Sequence, residues 1–290
     1  MGTDWKYHLS LIAAVCLWGS SFIGSKIALQ AFSPVFLCLL RFIIASCVLA
    51  VMALFHGRFK RPSGTDLKYI FLSGILGISI YYSIENIAVS MTSASDASVI
   101  SAAYPVITVA VGILFYHLRA RRFEIAGILM AVCGVLIMTV SGSREGSSFL
   151  GNMMMIFNGF LWAFYNYLTQ KISHDTDNFT VTALQVLTGT VGFIPMLMLE
   201  DIRIGPLTPA VAGAVGFLSV LCTLAALFLY NYGLRRVSAS TAASLMNLMP
   251  VAGIALSAAI LHETITARHV FGTAVIIGGV LLSAQRYRNQ

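Results

Sequence analysis

Apolar residues along this 290-residue chain come in long runs and do not alternate with polar ones. A helix of about 20 residues spans a hydrocarbon core. In windows of that length the apolar runs lie near 9–29, 35–55, 68–89, 97–116, 123–141, 149–170, 179–199, 210–232, 241–261 and 268–285. The stretches between them are too short to form a soluble domain. In lipid every backbone N–H and C=O needs an internal partner, which a continuous helix supplies. The pattern lacks the alternating segments expected of barrel strands. It predicts an all-α polytopic membrane protein with ten transmembrane helices. The first run exceeds the apolar core of a signal peptide, and no small-residue cleavage site follows it, so it is expected to stay as a helix.

Composition sharpens this picture. Hydrophobic residues make up 58% of the chain and charged ones 10%, against about 25% charged in an ordinary soluble domain. The five cysteines (Cys16, Cys38, Cys47, Cys133 and Cys222) all fall inside apolar runs and form no C-x-x-C pair. They are expected to be buried hydrophobes, with no metal or other cofactor.

The net charge of +7 is explained by its placement, and nucleic acid is not an expected partner. With ten spans, thirteen basic residues fall on the side that holds both termini and three (Arg144, Arg203 and Arg268) on the other. Lys26 and Arg41 are left inside spans. The positive-inside rule then places both termini in the cytoplasm, as expected for a multi-pass protein of a bacterial inner membrane.

Laid on itself at an offset of 144 to 145, the chain matches repeatedly. Leu17-Trp18 meets Leu161-Trp162, Asn86 meets Asn231, and Ser93-Ala94-Ser95 meets Ser238-Ala239-Ser240. Pro105 meets Pro250, His117 meets His262, and Gly127 and Gly134 meet Gly272 and Gly279. Each half, residues 1–145 and 146–290, would hold five spans. An odd number inverts the second half, giving two inverted five-helix repeats. That arrangement is found in secondary transporters, with the substrate near the midplane.

The segments "LWGSSFIGSKIAL", "LLRFIIAS", "SASDASVISAAYPVITV" and "VSASTAASLMNLMPVAGIALSAAILHETIT" resemble the EamA-type branch of the drug/metabolite transporter superfamily, over essentially the whole chain. The resemblance implies a ten-helix exporter of amino acids or other small metabolites, working by alternating access. The chain departs from the family pattern at the end of helix 4. Helix 9 closes on His262-Glu263, whereas the first half has His117-Leu118-Arg119, and Asp96 stands where the second half has Thr241.

Candidate site residues follow from polar groups inside apolar runs, which are costly in lipid and so expected to face inward. Helix 1 presents Trp18, Ser21, Phe22, Ser25 and Lys26 at helical spacing, and helix 6 presents Asn158, Trp162, Tyr165, Asn166 and Thr169. Helix 3 adds Tyr81, Tyr82 and Glu85. Arg41 lies about 9 Å and Glu85 about 6 Å from the outer ends of their helices, level with Lys26. Lys26 or Arg41 is therefore expected to pair with Glu85, as an outer gate or as a static ion pair. The repeat partners Gln170, Gln185 and Tyr230 are uncharged. Pro105 and Pro250 are expected as kinks or hinges near mid-span, with Tyr104 and Asn247 beside them.

Gly19, Gly24, Ser25 and Lys26 have the spacing of a phosphate-binding loop but the wrong order, and the flanks are apolar helix. With no nucleotide-binding domain, ATP is not an expected partner. Protons are a candidate coupling ion, with Glu85 the most central acid. The basic cluster favours a small polar metabolite that is zwitterionic or bears a carboxylate, amino-acid-like compounds and opine-type metallophores included. The alternatives are a lipid scramblase or flippase, or an exporter of polyamines or nucleobase-like drugs. No H-E-x-x-H or G-x-S-x-G motif points to an enzyme.

Overall fold

A computed structural model of the chain describes residues 5–56, 61–117, 122–140, 148–238, 241–242 and 245–284. Seven of the sixteen basic residues behind the expected orientation (Arg58, Lys60, Arg119, Arg121, Arg144, Arg286 and Arg288) lie outside this set, as does the side chain of Asn247. The described residues form helices without a strand; Phe32 and Ile204 make one isolated bridge.

The helices are α1 (Trp5–Ala28), α2 (Pro34–His56), α3 (Gly64–Gly74), α4 (Tyr81–Met91), α5 (Ala94–Ser101) and α6 (Tyr104–Tyr116). They continue as α7 (Arg122–Val140), α8 (Phe149–Gln170), α9 (Asn178–Leu197), α10 (Pro209–Phe217), α11 (Ala226–Leu234), α12 (Met249–Ile260) and α13 (Ala267–Ala284). Two π-helical segments, Ile75–Ile80 and Leu218–Ala225, join α3 to α4 and α10 to α11 without a break. Five helices so joined are long and apolar enough to cross a membrane, and six if the bent pair α5–α6 counts as one. The chain is a multi-pass membrane protein.

Local chemistry sets the helix ends. Ser63, Ser93, Ser148, Asp177 and Thr208 each precede a helix and accept the backbone N–H three residues on, satisfying a donor that the helix cannot. The prolines act differently from the mid-span kinks expected. α5 stops at Ser101, and Pro105 sits in the first turn of α6, bent by 41° from α5. Pro250 likewise opens α12, after a 3₁₀ turn at Met246–Leu248. In a first turn the missing N–H leaves no helix bond unmade, so each proline starts a new helix instead of distorting one.

Small residues let the helices approach. A Cβ on Gly279 would lie 2.6 Å from the Gly127 carbonyl oxygen, and one on Gly134 would lie 2.7 Å from Ile276, which holds α7 close against α13. The pair Gly127/Ala131 is thus a packing surface. Ser46 and Thr190, 144 residues apart, meet hydroxyl to hydroxyl at 3.1 Å between α2 and α9.

Candidate functional site

At the centre of the bundle α1, α4, α8 and α11 bring their aromatic residues together. Trp18 meets Trp162 edge-on with centroids 5.0 Å apart, and Tyr230 lies 4.9 Å from Trp18 and 5.1 Å from Trp162. Tyr81 and Tyr165 contact Trp162 from other sides at 5.2 and 5.0 Å, and Tyr82 extends the cluster to Phe42. Tyr104 is fully buried and donates to the Met155 carbonyl at 3.1 Å. The predicted residues Trp18, Tyr82, Trp162 and Tyr165 therefore share one box, and Tyr104 lies against Gly159 of the same α8 face.

Arg41 enters this box from α2 and is 1% exposed. Its Nη2 donates to Thr223 Oγ1 at 3.1 Å, and its guanidinium carbon lies 5.3 Å from the centre of the Tyr82 ring. Nε and Nη1 are buried without a hydrogen-bond partner. A buried guanidinium with donors to spare is costly unless something supplies the acceptors. Thr223 belongs to the π segment Leu218–Ala225, whose Cys222 carbonyl accepts Trp18 Nε1 at 2.9 Å. Arg41 and Trp18 thus attach to adjacent residues of one irregular helix segment.

The expected ionic grouping is placed differently. No ion pair within 4 Å joins Lys26, Arg41 and Glu85, all three being described residues. Glu85 is buried and accepts the Tyr81 hydroxyl at 2.9 Å, across one helix turn of α4. Arg41 acts on Glu85 through its field without a direct ion pair, whereas half-buried Lys26 has Glu263 as its electrostatic partner. The reason is rotational: level on three helices does not fix which way each side chain turns. Ser21 is buried, but its hydroxyl returns to the Trp18 carbonyl at 2.7 Å, so it serves its own helix. Asn166 accepts the Tyr230 hydroxyl at 3.0 Å through Oδ1.

Carboxylates that were not among the candidate site residues hold the end of the bundle nearest Lys26. Glu263 accepts the backbone N–H groups of Ala94 and Ser95 at 3.0 Å each, and the Ser95 hydroxyl at 2.7 Å. Glu200 does the same for Val35, Phe36 and Ser33 at the start of α2. Asp96, fully buried in α5, meets His269 Nε2 at 3.0 Å and Arg268 at 3.3 Å. Thr266 N–H donates to His269 Nδ1 at 3.0 Å. Nδ1 must then hold a lone pair, so Nε2 carries the proton toward Asp96. A buried Asp inside "SASDASVIS" was the available signal. The capping roles of Glu200 and Glu263 leave no local trace.

At the other end the closure is neutral. The Tyr165 hydroxyl donates to Asn231 at 2.6 Å, and Asn231 donates to Gln185 at 2.7 Å and to Thr182 at 3.1 Å. Gln185 donates to Ser73 and Thr169. A crevice of about 360 Å³ reaches Asn231 from that end, lined also by Thr169, Gln170, Ser173, Asn178 and Arg235. Beyond it, Asp66 holds the Ser173 N–H at 2.9 Å and the Thr176 hydroxyl at 3.0 Å.

Comparison with known proteins fits this architecture. A solved crystal structure superposes with a TM-score of 0.73 over 99% of this chain and 100% of its own, at 18% sequence identity, and so shares the fold. An uncharacterized transporter of Archaeoglobus fulgidus is 27% identical over 286 residues, 97% of this chain and 98% of its own. A probable terminal-alkyne amino-acid exporter of Streptantibioticus cattleyicolor is 25% identical over 279 residues, 96% of this chain and 93% of its own. The EamA-like transporter family matches twice, at residues 5–140 and 149–285, and the chain belongs to that family.

Proposed function

We propose that this transporter exports small zwitterionic or carboxylate-bearing metabolites, amino acids or amino-acid-like compounds, by alternating access. The observation that carries this reading is Arg41, buried in an aromatic box with Nε and Nη1 unpartnered, while Glu85, within reach of its field, spends a hydrogen bond on Tyr81. A carboxylate would supply the acceptors that Arg41 lacks. Glu85 would receive an ammonium group, and Trp18, Trp162 and the surrounding tyrosines would enclose the apolar part. The name of the Streptantibioticus relative points to the same substrate class.

In this reading the chain makes ten spans as two inverted repeats, 1–145 and 146–290, with both termini in the cytoplasm of a bacterial inner membrane. The crevice at Asn231 then faces the cytoplasm, and the carboxylate clamps close the outer side. Lys26 belongs to that outer closure through Glu263. Pro105 and Pro250, each opening a helix after a break, serve as hinges, with Asn247 beside the second. Glu85 is the group that would carry a proton if export is proton-coupled.

A lipid scramblase needs a polar track open to the side. The lateral crevice between α2 and α9 is lined mainly by apolar groups such as Leu49, Ala53, Ala183 and Leu187, which suit acyl chains; among the described residues Arg61 is the charged one lining it, with no continuous polar track beside it. The test is counterflow in proteoliposomes with labelled amino acids, an opine, a polyamine and a nucleobase, with and without a pH gradient. Saturable exchange of a carboxylate-bearing compound is expected. Exchange of the polyamine or nucleobase alone, or movement of lipid probes without exchange, overturns the proposal.

A further inference from the structure

Unpartnered polar groups occur a second time in the core, on α8. Asn158, Trp162 and Asn166 follow at intervals of one turn on a single face, and each is at most 1% exposed. Both amide atoms of Asn158, the indole Nε1 of Trp162 and the amide nitrogen of Asn166 make no well-formed hydrogen bond; the nearest polar group to Asn158 is the Tyr104 hydroxyl, and Trp162 and Asn166 have that of Tyr230. At 1.5 Å per residue the row extends about 12 Å along the helix. One turn beyond Asn166 lie Thr169 and Gln170, which line the crevice. The row therefore leads from that crevice to the centre of the box.

The row carries no charge and is chemically lopsided. Trp162 can only donate, and the open group of Asn166 is its amide nitrogen, since Oδ1 already accepts from Tyr230. Asn158 can donate and accept. A carboxamide matches Asn158 acceptor to donor and donor to acceptor, and the second lone pair of its carbonyl oxygen is open to the neighbouring Trp162 Nε1. Arg41 stacks on Tyr82, which meets Tyr81, which in turn meets Trp162, so two tyrosine rings link the guanidinium to the α8 row. The charged and uncharged groups are thus distinct parts of one box.

The geometry points to the α8 row as the subsite that reads the substrate's side chain, and to amino acids bearing a carboxamide or a comparable hydrogen-bonding group as the preferred class. The inference rests on the exporter reading above, since Arg41 must hold the carboxylate for the side chain to reach α8. Burying an apolar side chain against Asn158 and Trp162 would leave both unpaired, whereas a carboxamide offers each a partner.

The experiment is counterflow of labelled L-glutamine and L-norleucine, similar in length, by wild-type protein and by Asn158→Leu, Trp162→Phe and Arg41→Gln. Wild type is expected to favour glutamine by on the order of tenfold or more. Asn158→Leu and Trp162→Phe each bring that ratio toward one, and Arg41→Gln removes exchange of both compounds. Asn158→Leu replaces an unpaired buried amide with an apolar group, and Trp162→Phe keeps a ring in the box, so two independent variants carry the test. A wild-type ratio near one, or a ratio unchanged in both variants, overturns the subsite while leaving the exporter standing. Exchange of neither amino acid by wild type overturns the exporter reading, and the subsite falls with it.

Discussion

His117 and His262, 145 residues apart, are the non-glycine residues with positive φ among those described, at 52° and 54°. His117 ends α6 in a left-handed cap whose N–H returns to the Gly112 carbonyl, whereas α12 is capped by Leu261 and His262 turns left-handed one residue later. The sequence matches thus recur as backbone geometry: each proline-opened helix is followed within two residues by a left-handed histidine.

A left-handed residue with a Cβ is strained by roughly 1–2 kcal/mol, which glycine does not incur. Part of that gain is offset by the greater freedom of glycine in the unfolded chain. His117→Gly and His262→Gly are therefore each expected to raise stability by about 0.5–1 kcal/mol. Thermal unfolding in detergent checks this, and a fall in both variants would show that the imidazoles hold the turns.

Arg41 should separate stability from function. Arg41→Met removes a buried charge lacking acceptors and is expected to hold or raise the melting temperature. Exchange of carboxylate substrates is expected to fall more than about 100-fold, the loss of a charge-assisted contact in a dry site. Arg41→Lys should not restore it, because a compact ammonium cannot reproduce the planar fork. Transport and unfolding measured on the same preparations decide; unimpaired exchange by Arg41→Met would exclude carboxylate docking there.

Glu200 contributes to fold, not to substrate. Its carboxylate satisfies the N–H groups of Val35 and Phe36 and the Ser33 hydroxyl. Glu200→Ala leaves donors at the start of α2 unpaired and should cost about 1–3 kcal/mol. The apparent substrate affinity of the folded fraction should not change. A changed affinity at normal stability would move Glu200 into the transport path.

Gly77 tests the join between the π segment and the polar closure. A Cβ there would overlap Tyr165, reaching its Cγ at 2.5 Å. Tyr165 is anchored through its hydroxyl to Asn231, so it cannot swing aside freely. Gly77→Ala is expected to destabilise by about 1–3 kcal/mol and to slow exchange. Gly213, with open space around its Cβ position, is the control, and Gly213→Ala should be nearly neutral. Equal behaviour of the two variants would count against a rigid closure at Tyr165.

Much of this was legible from residue order. Long apolar runs with few charges require helices in lipid, because no other open structure satisfies the backbone there. The paired Asn, Pro and His residues marked the duplication, and the aromatic and amide positions of helices 1, 3 and 6 marked the box. Those are periodic signals, carried by one segment at a time.

Pairing across helices was not legible. Lys26, Arg41 and Glu85 sit at one level, yet Lys26 feels Glu263, Arg41 bonds Thr223 and reaches Glu85 only through its field, and Glu85 bonds Tyr81 on its own helix. Level comes from counting residues; direction comes from helix rotation and tilt. The π segments at Ile75–Ile80 and Leu218–Ala225 shift the phase of their helices, so residues before and after them do not share the face an unbroken 3.6-residue period implies. The sequence by itself determined a helical membrane protein of duplicated pattern, because hydrophobicity and backbone satisfaction act locally. The tertiary structure alone decided which charges meet and which polar groups stay unpartnered, because that depends on how close-packed helices turn toward one another.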